Sequence, residues 1–114
     1  KDIIRRRGEN ISAAEIEAVL NSHAQVREAA VFGVPSEFTE DEVVACVVVQ
    51  DSSGVAVEKL REWCAERLAR FKVPTDIRIL DALPKTPTHR VQKELLRELY
   101  LRDRERNARM SPLH

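Results

Sequence analysis

Cysteine and aromatic side chains are scarce in this sequence. Its 114 residues include two cysteines, and aromatic residues make up 4% of the chain. Two cysteines provide neither the ligand spacing of a structural zinc site nor a network of disulfide bonds. A low aromatic content also disfavours stacking on single-stranded nucleic acid. We therefore expect Cys46 and Cys64 to be structural thiols in a core, and we predict no metal site.

Neither sign of charge dominates the chain. Lysine plus arginine and aspartate plus glutamate each number 19, so the formal net charge is zero. A domain that binds nucleic acid or an anionic membrane usually carries a clear basic excess. We therefore expect no nucleic-acid partner. The arginines of residues 102–106 alternate with acidic residues, which predicts a mixed-charge helix end and not a basic patch.

The sequence also lacks an apolar stretch long enough to cross a membrane, and it shows no signal peptide. We expect a chain without a membrane span that works in the reducing cytoplasm. A hydrophobic fraction of 43% is typical of a globular protein. The chain begins at Lys1, directly in a strand-like segment, so we expect a single domain (residues 1–114) that is part of a longer protein.

A short charged strand and a turn are predicted at the start of the chain. Residues 3–7 (Ile-Ile-Arg-Arg-Arg) have the composition of an exposed strand, and Gly8 supplies the turn of a hairpin. Two interpretations are open. Charges on an edge strand prevent aggregation. Alternatively, the arginines and the glycine bring charge and a close backbone approach to a ligand.

The strongest local signal is the start of the first helix. Ser12 and Glu15 have the spacing of a capping box, and Ile11 and Ile16 have the spacing of a hydrophobic staple. The pattern predicts a helix that ends at about Ser22.

Further strands and helices alternate along the rest of the chain. Strands are predicted at residues 26–34, 43–49 and 77–80, and helices at residues 57–68 and 92–104. The last helix is predicted to turn Leu95, Leu96, Leu99 and Tyr100 inward, and residues 105–114 are predicted to fray. The fold class is therefore α+β: a central sheet of about three strands, about three flanking helices and a short N-terminal β-hairpin.

A loop with two prolines separates the last strand from the last helix. It begins Leu-Pro-Lys-Thr-Pro-Thr at residues 83–88, and it projects Lys85, Arg90 and Lys93. A stiff loop that holds cations suits the recognition of phosphate or carboxylate. A simple connection between strand and helix is the other interpretation.

These two segments resemble the C-terminal domain of the adenylate-forming enzyme superfamily. Residues 1–17 match the hinge motif Lys-Asp-x-Ile-x-x-x-Gly-x-Asn-Ile-x-x-x-Glu-Ile-Glu, and residues 83–88 begin the motif that carries the adenylation lysine. Phe-Lys-Val-Pro at residues 71–74 is similar to a further family element. The resemblance extends to about Tyr100.

The resemblance implies part of an acyl-CoA synthetase, an acid–thiol ligase of fatty acid metabolism. Its substrates are ATP, coenzyme A and a small-molecule carboxylic acid; Mg²⁺ accompanies ATP in a large N-terminal domain, the main partner of this one. The hinge lies at Lys1. The face turned to coenzyme A during thioester formation carries Arg5, Gly8, Glu9 and Asn10. The isolated domain is expected to be inactive.

One departure from the family pattern concerns the adenylation lysine. The family usually has Gly-Lys where this chain has His89-Arg90, and arginine keeps the charge without the compact ammonium group. Three hypotheses follow: Arg90 performs the catalytic role, which we favour; Lys85 or Lys93 substitutes for it; or adenylation is weak. For His89, we favour a solvent-facing side chain over a titratable contact.

Other functions are also compatible with parts of the pattern. Within the superfamily we favour coenzyme A ligation over peptide synthesis, because no carrier domain follows Arg109 in this sequence. Luciferase-like oxidation is a weaker option. A different class is a non-enzymatic protein- or RNA-interaction module that uses Arg5 to Arg7. Salt-dependent retention on heparin discriminates that module from a ligase.

Overall fold

The computed structural model describes residues 3–6, 8–35, 41–50 and 54–109, and for residues 108 and 109 it describes only the backbone. Three positions of the predicted hinge motif, Lys1, Asp2 and Arg7, lie outside the described residues. The final residues 110–114 also lie outside them.

Within the described residues the chain forms five β-strands and three α-helices. In chain order they are β1 (Ile3–Arg6), β2 (Glu9–Ser12), α1 (Ala13–Asn21), β3 (Val26–Pro35), β4 (Asp41–Val49), α2 (Val57–Ala65), β5 (Asp76–Ile79) and α3 (Lys93–Arg109). A short 3₁₀ turn at Arg70–Lys72 precedes β5. The predicted α+β class is confirmed.

The strands form two separate sheets. β1 and β2 pair antiparallel as a two-stranded hairpin, and the other sheet has the order β3-β4-β5. β3 pairs antiparallel with β4, whereas β4 and β5 are parallel. The sheet is therefore mixed, with β4 at its centre and β3 at one edge.

The centre of the sheet is buried on both faces. Val43 to Val48 are all buried, as the uninterrupted apolar run predicts for a central strand. Alternate side chains of this run enter two different cores. One core contains Ile4 and Ile11 of the hairpin together with residues of α1 and α2. The other contains Leu83, at the start of the proline-containing loop, together with residues of α3.

The start of α1 confirms part of the predicted capping. The hydroxyl of Ser12 accepts a hydrogen bond from the amide of Glu15, and Ile11 and Ile16 are both fully buried. The carboxylate of Glu15, however, lies 3.0 Å from the ammonium of Lys72. The N-terminal turn of α1 is thus held by its serine cap, its apolar staple and an ion pair to the 3₁₀ turn.

The structure corrects the prediction for the last helix at two positions. Leu96 and Tyr100 are buried, but Leu95 and Leu99 are 38% and 48% exposed. A single helix that lies on one face of a three-stranded sheet buries a narrow stripe at four-residue spacing, so the neighbouring positions point away from it. The helix also continues to Arg109, five residues past its predicted end.

Both cysteines are free and buried, as the sequence predicts. Burial raises the pKa of the Cys46 thiol to about 11 and that of the Cys64 thiol to about 11. Because reactivity requires the thiolate, thiols with these pKa values are unreactive at neutral pH. Both cysteines therefore act as small apolar side chains.

Gly33 allows the hairpin to approach the larger sheet closely. A Cβ atom at this position would lie 3.0 Å from Cγ2 of Ile4 and 3.2 Å from a carboxylate oxygen of Asp41. A larger residue would force Ile4 away from the edge strand. The glycine thus fixes where β1, and with it the hairpin, rests on β3.

Candidate functional site

The tip of the N-terminal hairpin is exposed and contains the residues predicted to face coenzyme A. Arg5 pairs with Asn10 in the ladder, one position before the turn region. Gly8 has a φ of 73°, a backbone conformation that favours glycine. Gly8, Glu9, Asn10 and Arg5 are all exposed. This arrangement leaves backbone and charged side chains at the tip open to solvent and to a ligand.

The hairpin is attached to the 3₁₀ turn by a long-range contact. The guanidinium of Arg6 donates to the backbone carbonyl of Phe71 over 3.4 Å. Lys72 of the same turn binds both carboxylate oxygens of Glu15, at 3.0 and 3.2 Å. The Phe-Lys-Val-Pro element named in the sequence therefore lies beside the hairpin and the start of α1.

The proline-containing loop forms a second, narrower hairpin. Lys85 and Val91 form an antiparallel bridge. The amide of Thr86 donates to the carbonyl of Arg90 over 2.8 Å, and the amide of Gln92 donates to the carbonyl of Pro84 over 2.9 Å. Backbone hydrogen bonds thus hold both sides of the loop, which gives it a defined shape.

The tip of this loop is a tight turn with one unusual backbone conformation. The amide of His89 donates to the carbonyl of Thr86 over 2.9 Å, and Pro87 occupies the second position of the turn. His89 has a φ of 67°, the conformation that glycine adopts most readily. His89 therefore carries a side chain in a left-handed conformation directly before Arg90. The histidine is solvent-exposed, as predicted.

The three candidate cations of the loop differ in their partners. Lys85 lies 2.8 Å from the carboxylate of Glu28 on β3, and Lys93 lies 2.6 Å from the carboxylate of Glu17 on α1. The side chain of Arg90 is exposed and has no ion pair or hydrogen bond with any other residue that the structure describes. Arg90 is therefore the cation at the tip of the loop that is available to an external anion.

The two hairpins pack on opposite faces of the larger sheet. The N-terminal hairpin contributes Ile4 and Ile11 to the core that contains α1 and α2. The loop contributes Leu83 to the core that contains α3, and Val91 packs against the same core. The exposed edge around Gly8 and the cation at the loop tip thus belong to different faces of the domain.

Glu17 and Glu28, the carboxylates that bind the two lysines, were not predicted as partners from the sequence. The helical spacing of Glu17 indicates that it lies on the inward face of α1, because it is four residues after Ala13 and three before Leu20. Both of those residues are buried on the inward face of α1. A carboxylate on a buried stripe requires a hydrogen-bonding partner. Glu28 carries no comparable signal, since its ion pair depends on the long-range approach of the loop to β3.

Metal-binding groups and membrane-spanning helices are absent from the part of the chain that the structure describes. No three His, Cys, Asp or Glu side chains of this part are grouped so that they could hold a metal ion. In the same part of the chain, every helix is too short or too polar to span a bilayer.

Comparison with known sequences identifies related ligases. Residues 15–90 match the family model described as AMP-binding enzyme C-terminal domain. The chain is 41% identical over 100 residues to the long-chain-fatty-acid–CoA ligase FadD13 of Mycobacterium tuberculosis, covering 88% of this chain and 20% of that protein. It is 37% identical over 101 residues to the oxalate–CoA ligase of Arabidopsis thaliana, covering 89% of this chain and 20% of the relative.

Comparison with solved structures gives the same relationship. A fatty acyl CoA synthetase of Mycobacterium tuberculosis superimposes with a TM-score of 0.80 at 39% identity, over 87% of this chain and 20% of the other. ATP-bound MatB from Rhodopseudomonas palustris superimposes with a TM-score of 0.83 at 33% identity, over 88% of this chain and 20% of the other. The chain thus spans about a fifth of the length of these relatives.

The conformation of His89 leads to a stability prediction. We expect His89→Gly to raise the free energy of unfolding by up to about 1 kcal/mol, because it removes a Cβ from a left-handed backbone position. Greater flexibility of the unfolded chain offsets part of this gain. Denaturant-induced unfolding of the chain measures the difference.

His89→Ala is the matched control, because it removes the imidazole but keeps the Cβ atom. We expect no stabilisation from this variant. If His89→Gly lowers stability as much as His89→Ala does, the imidazole makes a stabilising contact and the account of this turn is wrong.

Proposed function

The chain belongs to the AMP-binding enzyme C-terminal domains of the acyl-CoA ligase superfamily, and from this membership we propose that it works as the mobile C-terminal domain of an ATP-dependent acyl-CoA synthetase. The proposal includes rotation of the domain between two poses. The first pose serves adenylation and the second serves thioester formation. A longer chain supplies the N-terminal domain against which it rotates.

The proposed reaction has two half-reactions. In the first, a carboxylate oxygen attacks the α-phosphorus of ATP, and pyrophosphate leaves with the electrons of the broken phosphoanhydride bond. In the second, the thiol of coenzyme A loses its proton and attacks the carbonyl carbon of the acyl-adenylate, and AMP leaves. The products are acyl-CoA, AMP and pyrophosphate.

We assign the adenylation role to Arg90. The observation that carries this assignment is the difference in partners: Lys85 and Lys93 are within 2.8 and 2.6 Å of carboxylates, whereas no described residue binds the guanidinium of Arg90. A preorganised cation stabilises the negative charge that develops between carboxylate and phosphate. A short, hydrogen-bonded hairpin supports such preorganisation.

We assign the thioester role to the N-terminal hairpin. Its tip is exposed, and Gly8, whose φ of 73° favours glycine, leaves the backbone without a side chain at the point of the turn. A thiol on a long flexible arm can pass such a surface closely. Arg5, Glu9 and Asn10 lie around it and provide charge and hydrogen-bonding groups for the rest of coenzyme A.

The N-terminal domain supplies the remaining functions under this proposal. It binds ATP with Mg²⁺, and it contains the pocket for the carboxylic acid. Fatty acids are one substrate class compatible with the relatives, whose names include a long-chain-fatty-acid–CoA ligase and a medium-chain acyl-CoA ligase. We propose that the enzyme works in the cytoplasm.

Substitution of Arg90 tests the assignment of the adenylation role. In the full-length ligase, Arg90→Ala is expected to slow acyl-adenylate formation by about 10²–10³-fold, the usual effect of removing one preorganised donor. Thioester formation from supplied acyl-adenylate is expected to stay within about twofold. ATP–pyrophosphate exchange and coenzyme A consumption measure the two half-reactions separately.

Arg90→Lys serves as the charge-preserving control and is expected to retain most of the adenylation rate. An equal loss of both half-reactions in Arg90→Ala contradicts the assignment, and so does the absence of any loss.

The 114-residue chain alone is expected to release no pyrophosphate from ATP with any carboxylic acid, because the acid pocket and most nucleotide contacts lie in the N-terminal domain. A pyrophosphate assay on the purified chain, with the full-length enzyme as positive control, measures this. Turnover by the chain alone contradicts the domain assignment. Salt-sensitive retention of the inactive chain on heparin supports the alternative, a nucleic-acid-binding module.

A further inference from the structure

A three-way contact joins the proline-containing loop, here called the Arg90 loop after the cation at its tip, to the first helix. The ammonium of Lys93 lies 2.6 Å from Oε2 of Glu17, and the same oxygen accepts a hydrogen bond of 2.9 Å from the amide of Val31. Lys93 is the first residue of α3 and follows Arg90 by three positions. The carboxylate of Glu17 is therefore shared between α1, β3 and the end of the loop.

This contact lies at the edge of the larger sheet. Among the described strands, β3 has a neighbour on one side only, so the amide of Val31 points away from the sheet and needs another acceptor. Glu17 reaches this amide from the face that holds α1 and the N-terminal hairpin. Lys93 reaches Glu17 from the face that holds α3. The ion pair thus links the two faces around the edge of the sheet.

The Lys93–Glu17 pair is more buried than a typical surface ion pair. The side chains of Lys93 and Glu17 are only 20% and 21% exposed. Solvent screens a pair of this kind less than an exposed one, and removal of one partner leaves the other charge poorly solvated. The hydrogen bond from Val31 further fixes the position of the carboxylate.

The Lys85–Glu28 ion pair, at the other end of the loop, does not link the two faces of the sheet. Lys85 binds Glu28, which belongs to β3. Glu28, Ala30 and Phe32 are alternate residues of β3 and therefore lie on the same face of the strand. Ala30 and Phe32 belong to the core shared with α3. This pair therefore holds the loop to the face on which it already lies. Of the two, the Lys93–Glu17 pair is the one that connects the loop to the helix after the N-terminal hairpin.

We propose that Lys93 and Glu17 are positioning residues for adenylation. Their ion pair locks the Arg90 loop to α1, so that the loop and the N-terminal hairpin move as one body when the domain turns. Lys93 then acts through Arg90 and not as a substitute catalytic cation. The proposal rests on the function proposed above, since it assumes that Arg90 acts in adenylation.

The test compares the two half-reactions in the full-length ligase. Lys93→Met and Glu17→Gln are each expected to lower kcat for adenylation by about tenfold or more, because displacement of a catalytic group by about 1 Å can cost up to 10²-fold. The KM for ATP and the rate of thioester formation from supplied acyl-adenylate are expected to stay within about twofold. Lys93→Arg, which keeps the ion pair, is expected to restore most of kcat.

The double variant Lys93→Met/Glu17→Gln adds a further criterion. Two residues that act as a unit lose their effect together, so the double variant is expected to be no slower than the worse single variant. Additive losses contradict the proposal. A loss in Lys93→Met without a loss in Glu17→Gln also contradicts it, because that result indicates a direct catalytic role for Lys93.

Asp103→Asn is the matched control. It weakens the ion pair of Asp103 with Arg78, which has the same 2.6 Å separation and also involves a residue of α3, but it lies away from the loop. We expect both half-reactions to be unchanged. A loss of adenylation in this variant equal to that in Lys93→Met indicates a general effect of instability and overturns the proposal.

The results also separate this proposal from the function on which it rests. If Arg90→Ala selectively abolishes adenylation while Lys93→Met and Glu17→Gln do not affect it, only the positioning role is wrong. If Arg90→Ala has no selective effect, the assignment of Arg90 is wrong, and the positioning role is wrong with it.

Discussion

The burial of β4 on both faces is the constraint on which the rest of the structure depends. Its run from Val43 to Val48 has no polar side chain, and alternate residues enter separate cores. Each face must therefore be covered by other elements. The N-terminal hairpin, α1 and α2 cover one face, whereas α3 and the proline-containing loop cover the other. Because these elements pack on opposite faces of one apolar strand, the two candidate functional segments, the N-terminal hairpin and the proline-containing loop, are separated.

Under the proposed function, this separation serves an enzyme that performs two different steps at one site. The first step needs a cation close to the reacting phosphate, and the second needs room for an incoming thiol. Under the proposed function, a rigid body with the cation of Arg90 on one face and the open turn at Gly8 on the other meets both needs by rotation. In the proposal above, the ion pair between Lys93 and Glu17 keeps the two faces in a fixed relation, and its 2.6 Å separation supports this role.

Local patterns in the sequence were sufficient to predict most of the fold. The predictions of the cap at Ser12 and of the buried apolar run of β4 are confirmed. Both features could be predicted because they depend on residues that are close in the sequence. The inward prediction for Leu95 and Leu99 was wrong, because helix periodicity alone does not reveal how narrow a stripe the sheet covers. The sequence also identified the candidate cations but not their partners. The pairing that distinguishes Arg90 from the two lysines depends on contacts between distant segments.

The central claim is that the turn at Gly8 serves thioester formation on one face and Arg90 serves adenylation on the other. Its most direct test is a comparison of two glycine variants in the full-length ligase. Gly8 and Gly54 have φ values of 73° and 75°, and neither has an atom within 4 Å of an added Cβ. Gly8→Leu and Gly54→Leu therefore impose similar backbone strain at different places. We predict that Gly8→Leu slows thioester formation by at least about tenfold, a barrier change of about 1.4 kcal/mol, and leaves adenylation within about twofold. Gly54→Leu should spare both steps. Equal loss of both half-reactions in Gly8→Leu, or the same selective loss in Gly54→Leu, would contradict the account.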